Sequence, residues 1–240
     1  MKRGSSDLPT SVRPPAKRVG GARASSPPTK SSATAGRDAP STRAAKAAER
    51  RAAIVDAALD EFTARGFAAT RIDDVAKRAG VAKGTIYLHF TDKEAMFQEL
   101  VRTALVPTMQ RLTSQPAPGV SARQMLETFA ETFLRDVAQT RRGDILRLVM
   151  AEGTRFPSLA EFHYRNVVEP GVAGIRRILE LGVARGEIHA ASLAQFPQLA
   201  VAPVVLSVIW QGLFGRFAPL DVQAMLRAHL DLIFGERTAP

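Results

Sequence analysis

Apolar positions along the chain recur at helical spacing. Between Ala45 and Gly66, the residues Ile54, Ala58, Leu59 and Phe62 fall at i, i+4, i+5 and i+8, with Arg50, Arg51, Asp56, Asp60 and Glu61 elsewhere on the wheel. This predicts a first helix stopped by Gly66, with Phe67 folding back on its apolar face. Thr70 is placed to cap a second helix, with Asp73 as a capping-box-like partner. Ile72, Val75, Ala76 and Ala79 form its buried side and Gly80 ends it. Residues 83–90 predict a third helix of about two turns, with Ile86 and Phe90 facing inward. Asp92 caps a longer helix carrying Met96, Phe97, Leu100, Val101, Leu105 and Met109.

The pattern continues to the far end. Ser121 caps a helix with Met125, Leu126, Phe129, Phe133, Leu134 and Val137 inward, and Asp144 opens a short, very apolar one. Pro157 starts another helix, which Pro170 and Gly171 should kink or split and which ends near Gly186. Residues 193–213 are apolar on every side and read as buried between other elements. Asp221 opens the final helix. No strand alternation and no internal repeat is visible, so residues 45–240 are predicted to be all-helical.

Before Ala45 the pattern is absent. After Met1, only Leu8, Val12 and Val19 are larger aliphatics in a stretch rich in Pro, Ser, Ala and Arg. Such a stretch cannot bury enough apolar surface to offset chain entropy, and it is predicted to be disordered.

Charge sharpens this division. The 240 residues carry a net +10, yet residues 1–44 hold nine Lys/Arg against two acids, residues 45–100 hold nine of each, and the remainder adds +3. The arm would add salt-sensitive, nonspecific attraction to DNA. As a passive extension, or as residues preceding the true start codon, it would add nothing. No apolar run suits a signal peptide or a membrane span, which predicts a soluble, cytoplasmic protein with no membrane partner.

Candidate chemistry is sparse. With no Cys, disulfides, thiolate catalysis and Cys-built zinc sites are excluded. The four histidines, His89, His163, His189 and His229, lie too far apart to read as a local metal motif. No paired carboxylates, Gly-rich phosphate cradle or nucleophile motif is present, so neither an enzyme nor a cofactor is expected.

One constellation stands out. Residues 72–90 are two short helices joined by a tight turn containing Gly80, the plan of a helix-turn-helix whose second helix enters the major groove. Gly84 leaves room for close approach of DNA, and Lys83, Thr85, Tyr87 and His89 are donors on the outer side. A helix–Gly–helix corner also occurs as plain core packing, so the pattern alone is moderately specific.

The string AALDEFTARGFAATRIDDVAKRAGVAKGTIYLHFTDKEAMF, within residues 48–100, closely resembles the N-terminal domain of TetR-family transcriptional regulators. Residues 146–152 followed by Arg155, Phe156 and Pro157 look like the C-terminal domain of an AefR-like subgroup. Beyond the tail over 1–44, the resemblance implies a DNA-binding head over 45–92 and a helical effector-binding and dimerisation body over 93–240. It implies a homodimer joined through helices near 193–214 and 221–235, reading a pseudo-palindromic double-stranded DNA operator. It also implies phosphate contacts from Thr70 and Arg71 at the second helix. Lys83, Gly84 and Thr85 would meet bases or backbone, and Tyr87, His89 and Lys93 would meet phosphate.

Two positions depart from the family pattern. Ala82 stands where Ser or Thr commonly caps the recognition helix, and Arg71 replaces a common small hydroxyl residue. Phe129, Phe133, Met150, Phe156, His163 and Trp210 are the candidates for an effector pocket suited to a hydrophobic small molecule. At helical spacing such residues more often form plain core. A rival function, a small-molecule or membrane-surface binding protein without specific DNA recognition, would also suit a basic arm on an apolar body.

Overall fold

The computed structural model describes residues 42–114 and 119–235 of the 240. The predicted disordered arm therefore lies outside the described residues as far as residue 41, as does most of the loop before Ser121. No strand occurs among the described residues.

Helix α1 (Thr42–Ala69) is bent at Gly66, whose φ of 78° and ψ of 160° are open to glycine and strained for other residues. The expected stop is thus a kink, and the chain recovers helical form as far as Ala69. Helix α2 (Ile72–Ala79) ends on Gly80, left-handed at φ 66°, whose N–H bonds the carbonyls of Ala76 and Lys77. Helix α3 (Lys83–Tyr87) is shorter than predicted, although the N–H groups of His89 and Phe90 still reach Ile86.

Helix α4 (Lys93–Leu100) begins on Asp92, which accepts from Ala95 N at 2.8 Å. It passes through a π-helical turn (Val101–Leu105) into α5 (Val106–Leu112). Pro107 explains the turn: it lacks an N–H and its ring crowds the carbonyl four residues back, so the backbone widens there. The same happens before Pro170. Helix α8 (Pro157–His163) runs through a π turn (Tyr164–Val168) into α9 (Glu169–Ala184). The expected kink or split at Pro170 is absorbed as a wider turn in a continuous helix.

Helix α6 (Ala122–Phe133) opens with a capping box between Ser121 and Gln124 and ends in a third π turn (Leu134–Ala138), which no proline explains. Helix α7 (Arg142–Glu152) packs on α1 and on α10 (Gln198–Leu213). Helix α10 pairs with α11 (Val222–Phe234), which Asp221 caps through Ala224 N.

One expectation fails at α10. Ala200, Pro203, Val204, Ser207 and Val208 are buried, whereas Leu199, Val205, Leu206, Ile209 and Leu213 are exposed. The helix packs on the chain along one side only, and its other side presents apolar groups outward.

The buried apolar residues form one continuous cluster from Ile54 in α1 to Leu230 in α11. Phe67 lies within it, its ring centroid 5.1 Å from Phe62, 6.5 Å from Phe97 and 5.0 Å from Phe156. A three-helix head (α1–α3) is thereby anchored on the helical body through the residue that follows the Gly66 kink.

Candidate nucleic-acid interface

The α2–turn–α3 unit is held by its own core. Val75, Ile86 and Phe90 are almost fully buried, and Val81 N bonds Ala76 O at 3.0 Å across the turn. Arg51 on α1 pins the end of the unit. Its guanidinium donates to His89 O at 2.9 Å and to Glu99 at 2.8 Å, and lies 4.3 Å above the Phe90 ring. Sequence reasoning missed this brace because its partners are 38 and 48 residues away, with no local pattern to join them.

Outward from this frame, Lys83, Gly84 and Tyr87 are exposed, while Thr85 on the same short helix and His89 in the turn after it are half-buried. Lys83 Nζ lies 2.9 Å from Asp73, which raises its pKa above the usual lysine value. Both groups face water, so the pair costs little to exchange for a phosphate or a base. A Cβ on Gly84 would meet nothing within 4 Å, so the open space above it belongs to whatever approaches from outside. Arg71 is exposed at the start of α2. Ala82 precedes α3 in extended conformation with no side-chain cap, as its side chain dictates.

Thr70 does not cap α2. The N-cap is Arg71, and the Thr70 hydroxyl, buried, bonds the carbonyls of Glu61 at 3.1 Å and Gly66 at 2.8 Å. It ties the α1–α2 turn back onto α1, so its side chain is not on the exposed surface. Lys93 is also drawn inward. Its Nζ donates to Phe67 O at 2.6 Å, Ala68 O at 2.9 Å and Thr70 O at 3.5 Å, and lies 4.7 Å from the Phe67 ring centroid. Burial lowers its pKa, and the charge of Glu152 partly opposes that. Arg78 is engaged as well, donating to the buried Glu61 at 2.6 Å.

Glu152, at the end of α7, accepts from Phe67 N at 2.9 Å. A Cβ on Gly66 would fall 2.6 Å from the same carboxylate oxygen. Arg141 adds a second link from body to head by pairing with Asp60.

The six effector-pocket candidates are not brought together. Phe129 lines a cavity of about 640 Å³ between α5, α6 and α9, with Leu112, Met125, Ile178 and Leu181. Phe133 stacks on Phe129 at 6.5 Å but is core, and Phe156 packs on Phe67 at the head–body joint. Met150 is exposed, His163 is buried, and Trp210 donates to Ala218 O at 2.7 Å near the chain's other end. Apart from Phe129 and Phe133, both on α6, the candidates sit on different segments facing different neighbours, which spacing alone does not resolve.

A compact helix-turn-helix head on an all-helical body defines a class of DNA-binding regulators. Two family models match this chain: "Bacterial regulatory proteins, tetR family" over residues 54–100 and "Tetracyclin repressor-like, C-terminal domain" over residues 116–228. The chain belongs to the TetR family. It is 30% identical over 135 residues to the HTH-type transcriptional repressor KstR2 of Rhodococcus jostii, covering 51% of this chain and 65% of that relative.

Among solved structures, Salmonella enterica GusR superimposes with a TM-score of 0.62 at 22% identity, covering 78% of this chain and 95% of that one. FadR of Bacillus subtilis, determined in complex with stearoyl-CoA, does so with a TM-score of 0.55 at 21% identity, covering 78% of this chain and 99% of that one. At those identities the superpositions establish the fold alone.

Proposed function

We propose that the chain is a homodimeric, ligand-responsive transcriptional repressor. It leaves a pseudo-palindromic double-stranded DNA operator when a small hydrophobic molecule binds its helical body. The observation that carries this reading is the outer face of α3. Lys83, Gly84, Thr85 and Tyr87 are presented there on a unit whose angle is fixed by Val75, Ile86 and Phe90. Lys83 pairs with guanine acceptors, and Tyr87, with Arg71 at α2, meets the phosphate backbone. Thr70 and Lys93 act from behind, holding the turn that carries Arg71.

The apolar outer side of α10 supports dimerisation, since Leu199, Leu206 and Leu213 gain most by meeting their copies across a two-fold axis. The cavity beside Phe129 is the proposed effector site; its walls combine apolar groups with Arg111, Arg135, Asp136 and Arg177, and the stearoyl-CoA in the B. subtilis FadR structure is consistent with that mixed lining. Effector binding favours a dimer whose heads are misplaced for the operator. Typical coupling of about 1–3 kcal/mol lowers DNA affinity 5- to 150-fold. The site of action is the cytoplasm, and the likeness of residues 146–157 to AefR-like bodies is part of the same proposal.

The test is a gel shift with the duplex upstream of the chain's own gene. Wild type is expected to give a discrete complex that survives competitor DNA. Binding that competitor abolishes would favour the rival small-molecule or surface-binding reading.

A further inference from the structure

The α1–α2 turn is held from three sides. The Thr70 hydroxyl ties it to α1, the Lys93 ammonium gathers the carbonyls of Phe67 and Ala68, and Glu152 takes the N–H of Phe67. Of these three, only Glu152 lies in α7, outside the helices that build or directly follow the head. Its carboxylate fills the space where a side chain at residue 66 would begin. The rest of α7 packs on α1 and also reaches α10: Arg147, one and a half turns earlier, has its Nε 3.4 Å from where a Cβ on Gly212 would sit. One helix therefore touches the proposed dimer helix with its middle and the DNA-binding head along α1, with Glu152 at its end reaching the α1–α2 turn.

We propose that Glu152 is a positioning residue for the operator interface: its bond to Phe67 N–H sets the α1–α2 turn, and with it the start of α2 and Arg71, in register with the body. The inference rests on the reading of the chain as a DNA-binding regulator. It adds that the orientation of the head is set by a carboxylate belonging to the body. A shift of α7, driven from the α10 side, withdraws the acceptor from Phe67 and frees the turn without unfolding either part. Position 66 fits this role, because any side chain there would both strain the backbone and displace the carboxylate.

The test compares E152A and E152Q in the full chain. Two readouts are used: amide hydrogen exchange of residues 67–75, and affinity for a duplex that the wild-type protein selects from a random library. Removing a charged acceptor from a part-buried amide is expected to speed exchange at Phe67 and weaken duplex binding by about tenfold or more. E152Q keeps a carbonyl acceptor of the same reach and is expected to restore both to within about threefold. Exchange and affinity unchanged in E152A would overturn the inference, as would E152Q failing as badly as E152A. Exchange needs no DNA, so a wild-type protein that selects no duplex would sink the DNA-binding reading while leaving the positioning role still tested.

Discussion

At the scale of single residues, exposed and inward-turned members of the expected contact set should behave differently. Tyr87 is half-exposed and its hydroxyl is free to meet a phosphate, so Tyr87→Ala should weaken duplex binding by about 1 kcal/mol across sequences while leaving the melting temperature nearly unchanged. Lys93→Ala should instead strip a donor from two carbonyls of the α1–α2 turn and cost about 1–3 kcal/mol of stability. Chemical denaturation of both variants separates the two roles.

His163 offers a pH signature. Buried with an unpartnered Nδ1, it is pushed down to about 4 by desolvation. The unfolded chain therefore binds more protons than the folded one between about 4 and the ordinary histidine value. Stability is full above about 6.5 and is lost as the pH falls towards 4, by roughly 3 kcal/mol at most. His229, part-buried and shifted the same way, adds to the slope. Urea midpoints at pH 7 and pH 5 should differ accordingly, and His163→Leu should flatten the difference.

At the scale of elements, much of the fold could be read from the chain. Asp92, Ser121 and Asp221 cap the helices expected of them, because capping is a local exchange between one side chain and an amide three residues on. Thr70 was misread for the same reason in reverse. A hydroxyl next to a helix start suits a cap, but the Gly66 kink brings the carbonyls of Glu61 and Gly66 closer. Pro170 suggests a kink or split, whereas the widened turn before it keeps α8 and α9 continuous; that outcome depends on packing against neighbours.

The contact surface of α3 was legible as a motif. Its braces, Arg51 and Glu152, were not, since each acts across dozens of residues on partners with no periodic relation to it. The uncapped start of α3 gives a local prediction. Ala82 has the extended backbone of an N-cap (φ −69°, ψ 147°) without the side-chain acceptor, so Ala82→Ser should raise stability by about 1 kcal/mol, read as a higher midpoint in denaturant.

At the scale of the whole molecule, the charge of the chain and the recognition of DNA come apart. The net +10 is concentrated in residues 1–44, while the stretch holding the helix-turn-helix sums to zero. Sequence preference must then come from side chains on α3, whereas bulk charge supplies at most a nonspecific background. In the proposed dimer, the apolar side of α10 supplies the two-fold contact. Leu206→Glu with Leu213→Glu should place charges on that face, convert a dimer to monomer in analytical ultracentrifugation, and abolish tight operator binding.

Whether a paired α3 reads DNA by sequence is decided by hydroxyl-radical footprinting of the full chain on its library-selected duplex. Two protected, symmetry-related half-sites about one helical turn apart are expected, both lost when Tyr87 and Lys83 are replaced by Ala. Uniform protection without a boundary, or a footprint that survives those replacements, would contradict it.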